Sequence, residues 1–276
     1  MTIFETRTLA NGVEMPVLGL GVYKMTNKDE TLQAIEKALQ VGYRAIDTAS
    51  LYENEVEVGE AIATSALKRE ELFITTKVWN SDQGYDETLR AFEVSLKKLN
   101  IDYIDLYLTH WPVAEQYVET YKAIERLYEE KLIRVPGVSN HHEHHLQQLI
   151  ANANVAPVVN QIECHPLLNQ QPLRAFCKEQ NIAVTAWSPL GRGHILTNTT
   201  IDEIAKRSGK STAQVILRWH YQNGVLTIPK SVTPSRIEEN ASIFDFELSI
   251  ADMQRIDALN EDKRFGKDPD NFHFDF

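Results

Sequence analysis

The chain has 276 residues, with 39 acidic side chains against 28 basic ones and a net charge of −11. That balance argues against a nucleic-acid surface, which needs a basic face, and no run approaches the ~18 apolar residues of a membrane span. An apolar share of 43% is ordinary for a globular protein. With no basic start leading into an apolar run and only Cys164 and Cys177 as cysteines, a reducing cytoplasm is the expected compartment. Buried thiols are expected for that pair, with a disulfide between them as the alternative.

The opening predicts a β-hairpin. Arg7-Thr8-Leu9 and Val13-Glu14-Met15 flank Asn11-Gly12, the pair that best suits a type I′ turn. Strand-like and helix-like segments alternate after it. Val17-Leu18-Gly19-Leu20 is short and apolar, and residues 31–40 place Leu32, Ile35 and Leu39 at helical spacing with Gly42 as the C-cap. A run ending at Asp47 precedes a helical stretch at 53–66. One ending at Lys77 precedes 85–98, and one ending at His110 precedes 116–130. Strands at 132–139, 157–162 and 182–188 follow, with helices near 146–152, 172–179, 201–207 and 212–222. A strand at 225–230 is the last, before helices at 234–240 and 250–259.

These runs are continuously apolar, as parallel strands covered on both faces require. Eight such units and no Gly/Ser/Pro-rich linker predict the α/β class. They give one domain over 1–276, a (β/α)8 TIM barrel with the hairpin over its N-terminal mouth, or bottom. A doubly wound sheet is the alternative, though it would not ordinarily need eight units. The tail, 265–276, is expected to pack near the rim or stay mobile.

If the strands form a barrel, Asp47, Tyr52, Lys77 and His110 converge on the rim formed by the strand C-termini, where such barrels do chemistry. A free tyrosine has a pKa near ~10, so a lysine beside Tyr52 is expected to lower it. Asp47 supplies the counter-ion for Lys77, and a neutral His110 orients a carbonyl. Taken singly, each has a plainer reading: a helix cap, a solvated strand end, a packed ring or a loop. Taken together, four complementary groups suit a reaction in which an oxygen gains a proton while its carbon gains a hydride.

The chain resembles the aldo-keto reductases nearly end to end. The matching segments include Gly42-Tyr43-Arg44-Ala45-Ile46-Asp47-Thr48-Ala49 followed by Tyr52, Thr75-Thr76-Lys77-Val78-Trp79-Asn80, and Asp105-Leu106-Tyr107-Leu108-Thr109-His110-Trp111-Pro112. Gly137-Val138-Ser139-Asn140, Asn160-Gln161-Ile162-Glu163-Cys164-His165-Pro166 and Ile228-Pro229-Lys230-Ser231 extend it. The resemblance is to the short bacterial and protozoan members: diketogluconate reductases, glyoxal/methylglyoxal reductases and prostaglandin F synthase-like enzymes. It implies NADPH/NADP+ as cofactor and a catalytic set of Asp47, Tyr52, Lys77 and His110, with Tyr52 the proton donor. It assigns Ser139, Asn140 and Gln161 to the carboxamide, Trp187 to the nicotinamide face, and Ser188 and Leu190 to the pyrophosphate. Lys230, Ser231 and Arg236 go to the 2′-phosphate and adenosine, and Glu239 and Asn240 to the adenine. Gly21 and Val22 are also expected at the cofactor, and Tyr23, Trp79 and Trp111 around a small carbonyl substrate beside His110. The expected activity is broad-specificity carbonyl reduction by a monomer. An NADPH-binding sensor or structural barrel with little turnover is the alternative, and a metal hydrolase a third reading.

Two positions depart from the family pattern. Pro136 replaces an apolar β-former and is expected to distort its strand, and His141 stands where Phe is common. Both put the carboxamide geometry in doubt. The run His141-His142-Glu143-His144-His145 lacks the offsets of a helical zinc motif. It is expected to be a polar helix start, with no metal site.

Overall fold

A computed structural model describes residues 2–271. Its hairpin pairs β1 (Thr6–Thr8) antiparallel with β2 (Glu14–Pro16). Eight strands follow, all parallel to their neighbours: β3 (Gly19–Gly21), β4 (Ala45–Asp47), β5 (Phe73–Val78), β6 (Ile104–Thr109), β7 (Ile133–Ser139), β8 (Val159–Glu163), β9 (Ala183–Trp187) and β10 (Leu226–Thr227). They lie in chain order, and a parallel bridge from Leu18 to Thr227 joins the two ends. The expected (β/α)8 barrel is therefore present.

The helices that wrap it are α1 (Lys28–Val41), α2 (Glu55–Thr64), α3 (Tyr85–Leu99), α4 (Tyr117–Glu129) and α5 (Glu143–Asn152). They continue with α6 (Gln171–Glu179), α7 (Thr199–Ser208), α8 (Thr212–Gln222), α9 (Pro234–Ala241) and α10 (Ile250–Asp257). Local signals set their ends. The Asn27 side chain accepts the N–H of Glu30 at 3.0 Å to start α1. Gly42, at φ 118°, ends it in a left-handed conformation that suits glycine. Among the described residues no helix is long and apolar enough to cross a membrane.

The hairpin closes the barrel bottom as expected. Leu9 and Met15 are buried in one cluster with Phe73, Leu106, Leu108, Val135 and Val159. Its turn differs from the expected type I′, which needs positive φ at both central residues. Only Gly12 has it (φ 81°). Leu9 N–H bonds to Val13 and Gly12 N–H to Leu9, the pattern of a longer loop with one left-handed residue.

The distortion expected at Pro136 is not found. Pro136 pairs in register with Tyr107 inside an unbroken β7. Its carbonyl accepts from Val158 N–H, and the β7–β8 ladder begins one residue later at Gly137–Val159. The missing proline N–H thus falls where the ladder has not yet started, so the strand loses little by it. The last strand is shorter than the predicted 225–230, with only Leu226 and Thr227 paired. Cys164 and Cys177 are both buried and free, and burial pushes their thiols up to about 12 and about 11.

Candidate functional site

Strand alternation builds the site. Side chains two residues apart share a face, and the face that buries Ala45, Phe73, Leu106, Leu108, Val135 and Val159 in the barrel interior continues upward to Asp47, Lys77, His110, Ser139 and Gln161. Ala183 leads to Trp187 in the same way. Tyr52 joins them from a 3-10 turn, Ser50–Tyr52, immediately after β4.

The four predicted catalytic residues meet. Lys77 Nζ donates to Asp47 Oδ1 at 2.6 Å and to the Thr48 carbonyl at 2.8 Å, and lies 3.5 Å from the Tyr52 hydroxyl. The Tyr52 and His110 rings meet edge to face, centroids 5.8 Å apart. Gln161 Nε2 donates to the other oxygen of Asp47 at 2.6 Å. Lys77 is fully buried and Asp47 nearly so.

Burial governs the electrostatics. It pulls Lys77 down against the attraction of Asp47, and pushes the Asp47 carboxyl up against Lys77 and Gln161. Burial, then the Lys77 charge, drives His110 well below its ordinary value, so its ring is neutral, as expected from the sequence. Its Nδ1 is buried with no partner among the described residues. For Tyr52 the direction is the reverse of that expected. Burial, followed by Asp47 and Tyr23, holds its phenol well above the ordinary value. The reason is geometric. Lys77 gives its short bonds to Asp47 and Thr48, leaves only a long contact to Tyr52, and has its field largely cancelled by the adjacent carboxylate.

Around this set, the Tyr23 ring lies 4.9 Å from that of Tyr52 and the Trp79 ring 5.1 Å from that of His110. Two of the three aromatics expected around a substrate, Tyr23 and Trp79, thus lie beside the reactive groups, Tyr23 half exposed. Trp111 is buried directly after His110, and its carbonyl accepts from Gln83. Ser139, Asn140 and Gln161 are gathered beside the four, but already partnered. Ser139 Oγ donates to the Gln161 carbonyl at 2.8 Å, and Asn140 Nδ2 to the His110 carbonyl at 3.0 Å. Trp187 Nε1 donates to Asn140 Oδ1 at 2.8 Å. His141 fills the place of a phenylalanine as a buried neutral ring packed on Tyr117, with Nδ1 2.8 Å from the Ser139 carbonyl. It steadies the strand end rather than disturbing it.

A groove of about 600 Å³ runs from Tyr23 past Ser188 and Leu190 to Lys230, Ser231, Arg236, Glu239 and Asn240. The Lys230 and Arg236 side chains are exposed and have no ionic or hydrogen-bonded partner among the described residues. In a chain of charge −11 two unpaired cations in one groove suit an anion. The start of α9 faces the same need, since Thr233 provides no side-chain cap. Glu239 is bonded to Ser211. Gly21 and Val22 have their N–H groups engaged with the Pro229 and Asp47 carbonyls, and a side chain on Gly21 would sit 2.7 Å from the Ile228 carbonyl oxygen. The structure thus shows Gly21 packed against the neighbouring strand end, and neither residue lines the groove.

Lys24 and Arg192 also line the groove without having been foreseen; the glycines flanking Arg192 were the available signal. Glu163 was not foreseen either. That buried carboxylate accepts the N–H groups of Phe265 (2.7 Å) and Gly266 (3.0 Å), with His165 Nε2 at 3.1 Å. The tail is thereby fixed against Trp187, where a side chain on Gly266 would meet the ring at 2.3 Å. Of the two readings of the tail, packed near the rim or mobile, the residues up to 271 follow the first; residues 272–276 lie outside the described residues.

A parallel barrel whose C-terminal rim carries a buried Asp–Lys pair, a tyrosine hydroxyl and a neutral histidine beside an anion-ready groove belongs to the barrel enzymes. The chain is a member of the aldo/keto reductase family, whose model matches residues 17–261. It is 54% identical to the glyoxal reductase of Bacillus subtilis over 98% of both chains. It is also 54% identical to the 9,11-endoperoxide prostaglandin H2 reductase of Trypanosoma cruzi, over 96% of this chain and 95% of that one. A mutant of Gox0644 solved in complex with NADPH superposes with a TM-score of 0.93 at 43% identity, covering 98% of this chain and 99% of that one.

Proposed function

We propose that the protein reduces small aldehydes, ketones, α-dicarbonyls or keto sugars to alcohols with NADPH, Tyr52 giving the proton. The observation that carries this reading is the Tyr52 hydroxyl, 3.5 Å from a Lys77 ammonium that is itself paired with Asp47, beside a neutral His110. The residues present fit the cofactor. Lys230 and Arg236 offer unpaired cations for its phosphates, an Arg can take a phosphate through two parallel bonds, and the groove leads to Tyr23 and the reactive groups. Bound there, NADPH supplies the hydride.

The chain's own residues do the rest. His110 offers an N–H to the carbonyl oxygen and fixes its direction. Tyr52 is kept protonated by burial, and this suits a donor. An oxygen whose carbon has gained a hydride becomes an alkoxide, whose conjugate acid is about as weak as water, with a pKa of ~15.7. Such an acceptor takes a proton from an untuned phenol, so Tyr52 needs position and neutrality more than a lowered pKa. The phenolate left behind lies next to Lys77, which limits its cost. The glyoxal reductase relative and the Tyr23 and Trp79 rings beside Tyr52 and His110 support glyoxal-like substrates.

The test is Tyr52→Phe, followed by NADPH absorbance with glyoxal, methylglyoxal and a keto sugar. The variant is expected to bind NADPH as the parent does, and to lose at least ~10²-fold in turnover, the range of a lost general acid. Parent-like turnover in the variant would reject Tyr52 as donor.

A further inference from the structure

The histidine run at the start of α5 is not alone in space. His142 is the N-cap of that helix, and His144 and His145 follow in its first turn. Asp270, at the other end of the chain, reaches all three. Its carboxylate lies 2.9 Å from His142 Nδ1, 3.2 Å from His144 Nε2 and 3.6 Å from His145 Nε2. One nitrogen from each ring and one carboxylate oxygen all fall within 4.8 Å of one another. His141 takes no part; its ring is buried on the Ser139 carbonyl. The four residues share none of the groups assigned to carbonyl reduction.

We propose that His142, His144, His145 and Asp270 bind one divalent transition-metal cation of the zinc type, tying the C-terminal segment to the start of α5. Three imidazoles and a carboxylate are a four-coordinate nitrogen–oxygen set that suits zinc, nickel or copper, and not calcium or magnesium, which want oxygen ligands. With ligands at ~2.0–2.1 Å, a tetrahedron has edges of about 3.3 Å, so the widest pair must close by about 1.5 Å. The side chains that need to move are able to, since His144 is 61% exposed and Asp270 42%.

Two contacts oppose binding and make the site exchangeable rather than permanently filled. Arg264 Nη2 lies 2.9 Å from His142 Nε2, and the His142 N–H donates to His145 Nδ1 at 3.1 Å. Each puts the ring proton on the nitrogen that faces Asp270, so a metal must displace a proton and reverse the tautomer. Arg264 has somewhere to go, because Asp268 already lies 3.4 Å from its Nε. The sequence hides this site because only one ligand pair, His142 and His145, has helical spacing, and the fourth ligand arrives 125 residues after His145.

The experiment is calorimetric titration of ZnCl2 into the untagged, chelator-treated full chain. One equivalent is expected to bind, and His144→Gln and Asp270→Asn are each expected to weaken it at least about tenfold. Both positions are exposed, so the variants keep the fold. Zinc is also expected to slow amide exchange over residues 264–271 in the parent and not in Asp270→Asn. Absence of saturable one-to-one binding, or parent-like affinity in Asp270→Asn, would overturn the proposal.

Discussion

At the scale of single residues, Asp47, Lys77 and His110 were legible because each closes a strand-like run with a polar side chain, and Tyr52 because it follows in the turn after Asp47. One of their partners was not. Gln161 holds Asp47 across 114 positions of sequence, and nothing local in Gln161 announces that bond. The electrostatic expectation for Tyr52 failed for a related reason: proximity to Lys77 was inferable, but the competing bonds that occupy its ammonium were not. Arg236 was legible by resemblance and has no ionic or hydrogen-bonded partner among the described residues. Loss of a charged hydrogen bond costs about 1.5–3 kcal/mol. Arg236→Ala is therefore expected to raise the KM for NADPH about tenfold or more with little change in kcat, and to leave NADH-driven turnover unaltered. Equal losses with both cofactors would show that Arg236 does not meet the 2′-phosphate.

At the scale of elements, periodicity located nearly every helix to within a few residues, because α1, α3 and α4 each bury one stripe. Strand ends were less readable. The last strand stops at Thr227 because Pro229 has no N–H to continue a ladder, while its carbonyl takes the Gly21 N–H at the barrel seam. Helix packing likewise hides in small residues. Gly59 sits inside α2, where Ala would ordinarily gain about 1 kcal/mol. Here an added Cβ would lie 2.3 Å from the Leu99 carbonyl oxygen, and such overpacking costs about 1–3 kcal/mol. The backbone clash wins. Gly59→Ala is expected to lower the urea midpoint, and a raised midpoint would mean that α2 and α3 can separate without cost.

At the scale of the whole molecule, the barrel and its bottom plug could be foreseen, and the tail's position near the rim only as one of two readings, since Glu163 captures it through backbone N–H groups that any sequence would supply. Global stability also responds to pH through a residue the site does not use. His220 in α8 is fully buried, with Nε2 3.2 Å from the Pro189 carbonyl, and burial pulls its pKa down to about 3. The unfolded chain binds a proton near pH ~6.5, and the folded one does not until about 3. Stability contributed by neutral His220 is therefore intact above pH ~6.5 and falls on acidification by about 1.4 kcal/mol per pH unit. Urea unfolding at pH 7.5, 6 and 5 is expected to show a steeper acid loss for the parent than for His220→Gln. Parallel curves would assign the acid sensitivity elsewhere.

Asp47 takes one bond from β5 and another from β8, and β4 and β8 stand four strands apart either way round the closed ring. The carboxylate is thus a crossbar over the barrel mouth as well as the counter-ion of Lys77. Redesign of this protein for another reaction then has a natural division of labour. Under the proposed function, the turn bearing Trp79 is the place to vary for new substrates, whereas a change at position 47 would remove the cross-barrel bonds and the counter-ion of Lys77 together.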